Sequence, residues 1–221
     1  MEEVVKIIDI EPVTHDVRRY RLERPEGYHF IPGQATEVSI NKPEWKDEKR
    51  PFTFTALEEK PYLEFTIKSY HDHPGVTHEL SKLQVGDELI IRDVWGTIEY
   101  KGPGYFIAGG AGITPFIAIL RQLHHDGAIA GNKLFFSNKT SADIILKDEL
   151  EKMLENNAVY VVTDEPNSAY TNGFIDEAFL KKHVDDFKKH FYICGPPRMI
   201  EAITDILTKL GASPDAVVFE K

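Results

Sequence analysis

The sequence is short of cysteine and of basic residues, and it has no long apolar run. A single cysteine among 221 residues, Cys194, excludes an internal disulfide and a cysteine-ligated iron–sulfur cluster carried by this chain alone. Lys and Arg number 26 against 36 Asp and Glu, a net charge of −10, which argues against a nucleic-acid partner. The longest apolar stretch is broken by a glycine turn and falls short of a membrane span. The opening MEEVVKIIDI is acidic and strand-like rather than basic and then apolar, so no signal peptide is read there and a cytoplasmic protein is expected. Repeats and low-complexity segments are missing as well. What remains is an ordinary globular composition, 42% hydrophobic and 28% charged, in a chain long enough for one large domain or two small ones.

Two patterns divide the chain. Up to about Tyr100, short alternating strands are separated by Gly/Pro turns: Val4 to Ile10, Val17 to Leu22, Ala35 to Ile40, Pro51 to Ala56, Tyr62 to Tyr70 and Glu88 to Val94. This indicates a small antiparallel barrel or sandwich, interrupted by one helix over Thr77 to Leu83. From Pro103 apolar strands alternate with helices: Tyr105–Ala108 then Pro115–His124, Lys133–Ser137 then Lys147–Glu155, Val159–Thr163 then Asp176–His183, and Phe191–Cys194 then Pro197–Lys209. Ala216–Phe219 closes as a last strand. Alternating βα units imply a parallel sheet covered by helices. The expected domains are 1–102 and 103–221.

In the second domain, YFIAGGAGITPFIAIL (Tyr105 to Leu120) reads as strand, glycine turn, helix. Such a turn delivers an anion to a helix N-terminus, where free N–H groups and the helix dipole favour negative charge. In the first domain Arg50-Pro51-Phe52-Thr53 offers a bidentate phosphate partner, a flat apolar ring and a hydroxyl able to bond a ring nitrogen. The turn His73 to Thr77 offers a second phosphate-directed device. Taken singly, each residue has a plainer use: Arg50 in an ion pair, Phe52 in the core, Thr77 as a helix cap. Together they match a flavin nucleotide.

Arg50-Pro51-Phe52-Thr53, Gly75-Val76-Thr77, Gly109-Gly110-Ala111-Gly112-Ile113-Thr114-Pro115 and Cys194-Gly195-Pro196-Pro197-Arg198-Met199 occur in an order and spacing that resembles the ferredoxin–NADP⁺ reductase family, which includes flavodoxin reductases, cytochrome b5 reductase and oxygenase reductase components. The Pro32-Gly33-Gln34 turn and the closing Phe219-Glu220 extend the resemblance over nearly the whole chain. It implies an antiparallel six-stranded Greek-key β-barrel that binds flavin, followed by a Rossmann-like parallel α/β domain that binds NAD(P).

On the flavin side the resemblance implies Arg50 on phosphate, Pro51 and Phe52 at the ring, and Thr53 near the flavin N5. Phe52 stands where tyrosine is usual and lacks its hydroxyl. Ile67 and Ser69 would offer main-chain bonds, Tyr70 would stack on adenine, and Gly75, Val76 and Thr77 would hold the pyrophosphate. On the nicotinamide side it implies Gly110, Gly112, Ile113 and Thr114 at the pyrophosphate, with Thr114 also reaching the flavin. Asn138 and Lys139 would lie in the nucleotide loop, and Cys194, Gly195 and Pro196 beside the nicotinamide. Thr53, Cys194 and Glu220 would form the catalytic set. A lone buried cysteine and a solvated tail are the plain alternatives for Cys194 and Glu220.

FAD is expected in preference to FMN. The loop Ser137 to Asp143 has only Lys139 to meet a 2′-phosphate, and Asp143 is close by, so NADH is expected over NADPH. The electron acceptor would be a separate carrier such as ferredoxin, flavodoxin or an oxygenase component, with the chain a monomer or weak dimer. A free-flavin or ferric-chelate reductase, or a non-catalytic binding module, would use the same motifs. His71-Asp72-His73 with His78 has metal-ligand spacing, but the flavin turn already accounts for this segment, and no metal is expected. Trp45 either projects from its charged loop or folds back on the barrel.

Overall fold

The computed structural model describes residues 2–72, 74–96, 98–213 and 217–219. The chain divides into two compact units, residues 1–97 and 98–221. The first holds β1 (Glu2–Pro12), β2 (Val17–Glu23), β3 (Gln34–Ile40), β4 (Arg50–Thr53), β5 (Tyr62–Lys68), α1 (Val76–Leu80) and β6 (Glu88–Gly96). All ladders are antiparallel, and the strand order is β4-β3-β6-β1-β2-β5. The crossovers that put β6 between β3 and β1 are those of a Greek key. Among the described residues no ladder closes the curled sheet. Just past β4, Thr55 N–H donates to Glu64 C=O at 2.9 Å, and this bond joins the two edges.

Alternation places Val5, Ile7, Tyr20, Leu22, Val38, Ile40, Leu63, Phe65, Ile67, Leu89 and Ile91 in one core. Phe30 and Phe65 flank Phe54 at centroid distances of 4.2 and 5.1 Å. Trp45 packs against this core, so it folds back on the barrel. The expected helix over 77–83 is shorter, five residues from Val76 to Leu80. Turns complete the segment, and Leu83 is buried from a turn rather than from a helix face. Tyr20 Oη donates to Leu80 C=O at 3.0 Å and pins the helix end to β2.

The second unit holds β7 (Gly104–Gly109), a 3₁₀ turn (Gly110–Ile113), α2 (Thr114–His125), β8 (Lys133–Asn138), α3 (Lys147–Leu154), β9 (Ala158–Val162), β10 (Thr171–Asn172), α4 (Glu177–His183), β11 (His190–Cys194), α5 (Pro197–Lys209) and β12 (Val217–Phe219). Every ladder is parallel, in the order β10-β9-β8-β7-β11-β12. Two-residue β10 is too short to leave a periodic trace and was not expected. The chain leaves β7 toward β8 on one side and returns to β11 on the other. A parallel sheet opens a ligand crevice at the carboxyl ends of strands about such a reversal.

At the opposite edge, Tyr105 Oη accepts the N–H groups of Asp185 and Asp186, each at 3.1 Å, and donates to the Asp185 carboxylate. Lys133 and Lys189 reach the same carboxylate at 3.0 and 3.2 Å. Burial, then the Asp185 carboxylate, pushes the Tyr105 hydroxyl up to about 12. A raised pKa in the folded state contributes stability that is present below the ordinary value of about 10 and lost as pH rises through the folded value. Stability of this unit should therefore fall between about pH 10 and pH 12. Tyr105→Phe should remove that contribution and cost about 2 kcal/mol at neutral pH, because two N–H groups lose their acceptor. Urea melts at pH 7 and pH 11 test both. An unchanged alkaline slope in the variant would show that the hydroxyl is not its source.

Candidate functional site

In the first unit the candidate residues lie on β4, the outer edge of β5 and the turn into α1. The side chain of Arg50 is about half exposed, with its guanidinium 3.7 Å from Glu48 and donating to Lys49 C=O, and Pro51 is exposed. Phe52 is half-buried, its ring 6.3 Å from that of Phe65. Thr53 is only 6% exposed, and its Oγ1 has no hydrogen-bond partner. A buried hydroxyl left unpaired costs roughly 1–3 kcal/mol, so this atom is poised for a polar ligand atom.

Ile67 and Ser69 correct an expectation. Ser69 N–H donates to Asp16 C=O at 2.8 Å, and Ile67 pairs with Arg18, both toward β2. Main-chain direction alternates along a strand. Glu64 C=O faces β4, so the main chains of Thr66 and Lys68 face that side too. They, not Ile67 and Ser69, present backbone groups along this edge. Side-chain periodicity in a sequence does not reveal which way the N–H groups point. Lys68 Nζ is held 2.7 Å from Asp16.

Tyr70 is 45% exposed, leaving its ring open to a planar ligand. Gly75 precedes α1 in extended backbone, and no side chain caps the helix, so the first N–H groups are not taken by one. A helix of five residues has little dipole, and any anion here would be held by N–H groups rather than by a macrodipole. Val76 is buried as the anchor of that turn, and Thr77 is half-buried. The rings of His71 and His78 meet at 5.2 Å, while His73 lies outside the described residues.

In the second unit the fold brings two distant motifs together at the carboxyl edge. Gly110 has φ +53, and the 3₁₀ turn it opens has no side-chain cap. A Cβ on Gly112 would lie 2.3 Å from Cys194 O and 2.6 Å from Gly195 N. One on Gly109 would lie 2.4 Å from Met199 Sδ. The glycines thus let the turn lie against the end of β11. Thr114 is half-buried at the start of α2, and Pro115 occupies its first turn. Ile113 is fully buried, so only its main chain can meet a ligand. Cys194 is 4% exposed, whereas Pro196 is exposed.

Asn138, at the end of β8, is 5% exposed, and neither its Oδ1 nor its Nδ2 has a partner. This buried amide, beside exposed Lys139, is an orphaned polar group of the second unit. Residues not anticipated for the site also converge here. Asp164 N–H donates to Lys139 C=O at 2.8 Å, and Glu165 accepts from both the N–H and the hydroxyl of Ser141. Asp143 accepts from Thr140 N–H and Oγ1. The signal for Asp164 and Glu165 was their place just after the third βα strand, facing the same edge. Glu220 lies outside the described residues.

These features fit the comparisons with known proteins. Residues 4–100 match the oxidoreductase FAD-binding domain model, and residues 106–205 match the oxidoreductase NAD-binding domain model. The chain is similar to NADH-cytochrome b5 reductase 2 of Coccidioides immitis, 30% identical over 96% of this chain and 75% of the relative. It is 27% identical to the reductase component of propane 2-monooxygenase of Rhodococcus jostii over 98% of this chain, but spans only 62% of that relative's length. Among solved structures, the FAD/NAD-binding domain of a nitric oxide dioxygenase from Vibrio cholerae superimposes with a TM-score of 0.87 at 19% identity, covering 98% of this chain and 97% of that one. At that identity the likeness shows a shared fold. No described helix is long and apolar enough to cross a membrane.

Proposed function

Since the chain belongs to the ferredoxin–NADP⁺ reductase-like family of FAD-dependent oxidoreductases, we propose that it oxidises a reduced nicotinamide dinucleotide and passes the electrons to a separate one-electron carrier protein. The observation that carries this reading is the unpartnered, buried hydroxyl of Thr53 on the strand after Arg50. Bound flavin would supply the redox chemistry, accepting one hydride, an electron pair with its proton, from nicotinamide and releasing the two electrons singly.

The chain's own residues bind and orient. Arg50 would exchange Glu48 for a flavin phosphate, aided by the uncapped N–H groups of Val76 and Thr77. Phe52 would cover one ring face, and Tyr70 would meet adenine. Thr66 and Lys68 would offer main-chain bonds along the edge of β5. Thr53 would donate to or accept from the reacting edge of the ring without transferring a proton. In the second unit, the N–H groups at Gly110 to Gly112 would hold the dinucleotide phosphates and the Asn138 amide the ribose hydroxyls. Cys194, buried at the end of β11, would limit water at the nicotinamide.

The relatives are by name a cytochrome b5 reductase and a monooxygenase reductase component, each serving another protein or component. With one cysteine, this chain holds no cysteine-ligated cluster of its own, which favours a separate carrier. The test is an anaerobic absorption spectrum of the purified protein before and after addition of NADH. Flavin bands that bleach, followed by electron delivery to a one-electron protein faster than to free flavin, support the reading. A colourless protein that cannot be reconstituted with FAD overturns it.

NADH should be preferred to NADPH. Asp143 and Glu165 bring two carboxylates to the loop where a 2′-phosphate would lie, and Glu165 already takes the Ser141 N–H. Facing like charges disfavours the phosphate, by at least about tenfold in kcat/KM. Glu165→Gln should narrow the ratio through NADPH alone. Equal kcat/KM for the two nucleotides in the wild type would refute the electrostatic argument.

A further inference from the structure

The α/β unit carries a cleft of about 530 Å³ that the proposed redox chemistry does not use. Its lining includes Asn156, Ala158 and Val159 at the start of β9, and reaches Thr171, which lies level with Val161 further along that strand. The glycine turn and Asn138 lie at the carboxyl ends of their strands, and in a parallel sheet those are the opposite edge. The cleft is centred on the start of β9 and shares no lining residue with the glycine turn, Asn138 or the loop that follows it. Its volume is in the range of small-molecule sites.

The walls have one chemical character. Tyr160 and Tyr170 meet edge to face with centroids 5.7 Å apart, and Glu151 and Glu155 supply carboxylates. The chain already places an ammonium in this setting. Lys147 Nζ lies 5.9 Å from the Tyr170 ring centroid and 3.1 Å from a Glu151 carboxylate oxygen. Ring faces and carboxylates attract cations jointly, most strongly where water is partly excluded. Burial first, then Glu151, Tyr170 and Asp148, push the Tyr160 hydroxyl up.

We propose that this cleft binds a small organic cation, an alkylammonium or diamine, between the Tyr170 ring and the Glu151 and Glu155 carboxylates. Lys147 occupies part of that position and competes with the ligand.

The test titrates the flavin-loaded protein with 1,4-diaminobutane, tetramethylammonium and, as an uncharged control, 1,4-butanediol, followed by calorimetry and tyrosine NMR signals. Saturable binding of the cations but not the diol is expected. Glu155→Gln and Tyr170→Leu should each weaken it by about fivefold. Lys147→Met should strengthen it severalfold, an outcome that a misfolded variant cannot imitate. Cations that bind no better than the diol, or binding unaltered in Lys147→Met and Glu155→Gln, would overturn the proposal.

Discussion

Thr53→Val is expected to slow bleaching of the flavin by NADH by about 10- to 100-fold, while the protein without cofactor becomes more stable. Both effects arise from one atom. The Thr53 hydroxyl is buried and unpartnered, so in the ligand-free barrel it carries a desolvation cost with no bond in return. Valine has the same shape and removes the cost, for a gain of about 1 kcal/mol. With flavin bound, the hydroxyl's bond to the ring edge is lost, and a buried bond worth about 1.4–3 kcal/mol in the transition state sets the rate penalty. Stopped-flow absorbance without oxygen measures the rate, and thermal melts of the protein stripped of and loaded with FAD measure the stabilities. A variant that bleaches at the wild-type rate would remove Thr53 from the site. A stripped variant that melts lower would show that the hydroxyl has a partner inside the protein.

Gly112→Ala should destabilise the α/β unit by about 3 kcal/mol and weaken nucleotide binding by more than about tenfold. The new methyl would lie 2.3 Å from Cys194 O and 2.5 Å from Cys194 C. These are backbone atoms of a strand paired on both sides, with β7 and β12, so no side chain can swing away. Either the glycine turn lifts off β11 or the end of β11 shifts, and both disturb the N–H groups meant for phosphate. Gly110→Ala is the control. Its methyl meets open space, and the φ of +53 alone costs about 1–2 kcal/mol. Melting temperature and the KM for NADH separate the two. Equal effects at Gly110 and Gly112 would mean that conformation, not close approach, explains the glycines.

The division of the chain into a strand-rich half and a βα half was legible because period-two alternation and apolar runs followed by amphipathic segments differ over many residues. The places of some motif residues were legible as well: the glycine turn follows β7, Thr53 closes β4 and Asn138 closes β8. Short features were not. Helix α1 ended at Leu80 because Leu83 could be buried from a turn as well as from a helix. Trp45, in a loop of charges, gave no sign of its direction until the barrel core offered it a place.

By itself, the sequence determined the order of the elements, the face each strand buries and the chemical types available at each motif, since these depend on local spacing and side-chain hydrophobicity. Only the tertiary structure decided that Ser69 N–H points to Asp16 while Thr66 and Lys68 face β4, because strand register is a property of pairs. It alone decided that Gly112 touches Cys194 and that Glu165 reaches Ser141. Those contacts join residues far apart along the chain, and their geometry exists only once the parallel sheet has set β7, β8, β9 and β11 side by side.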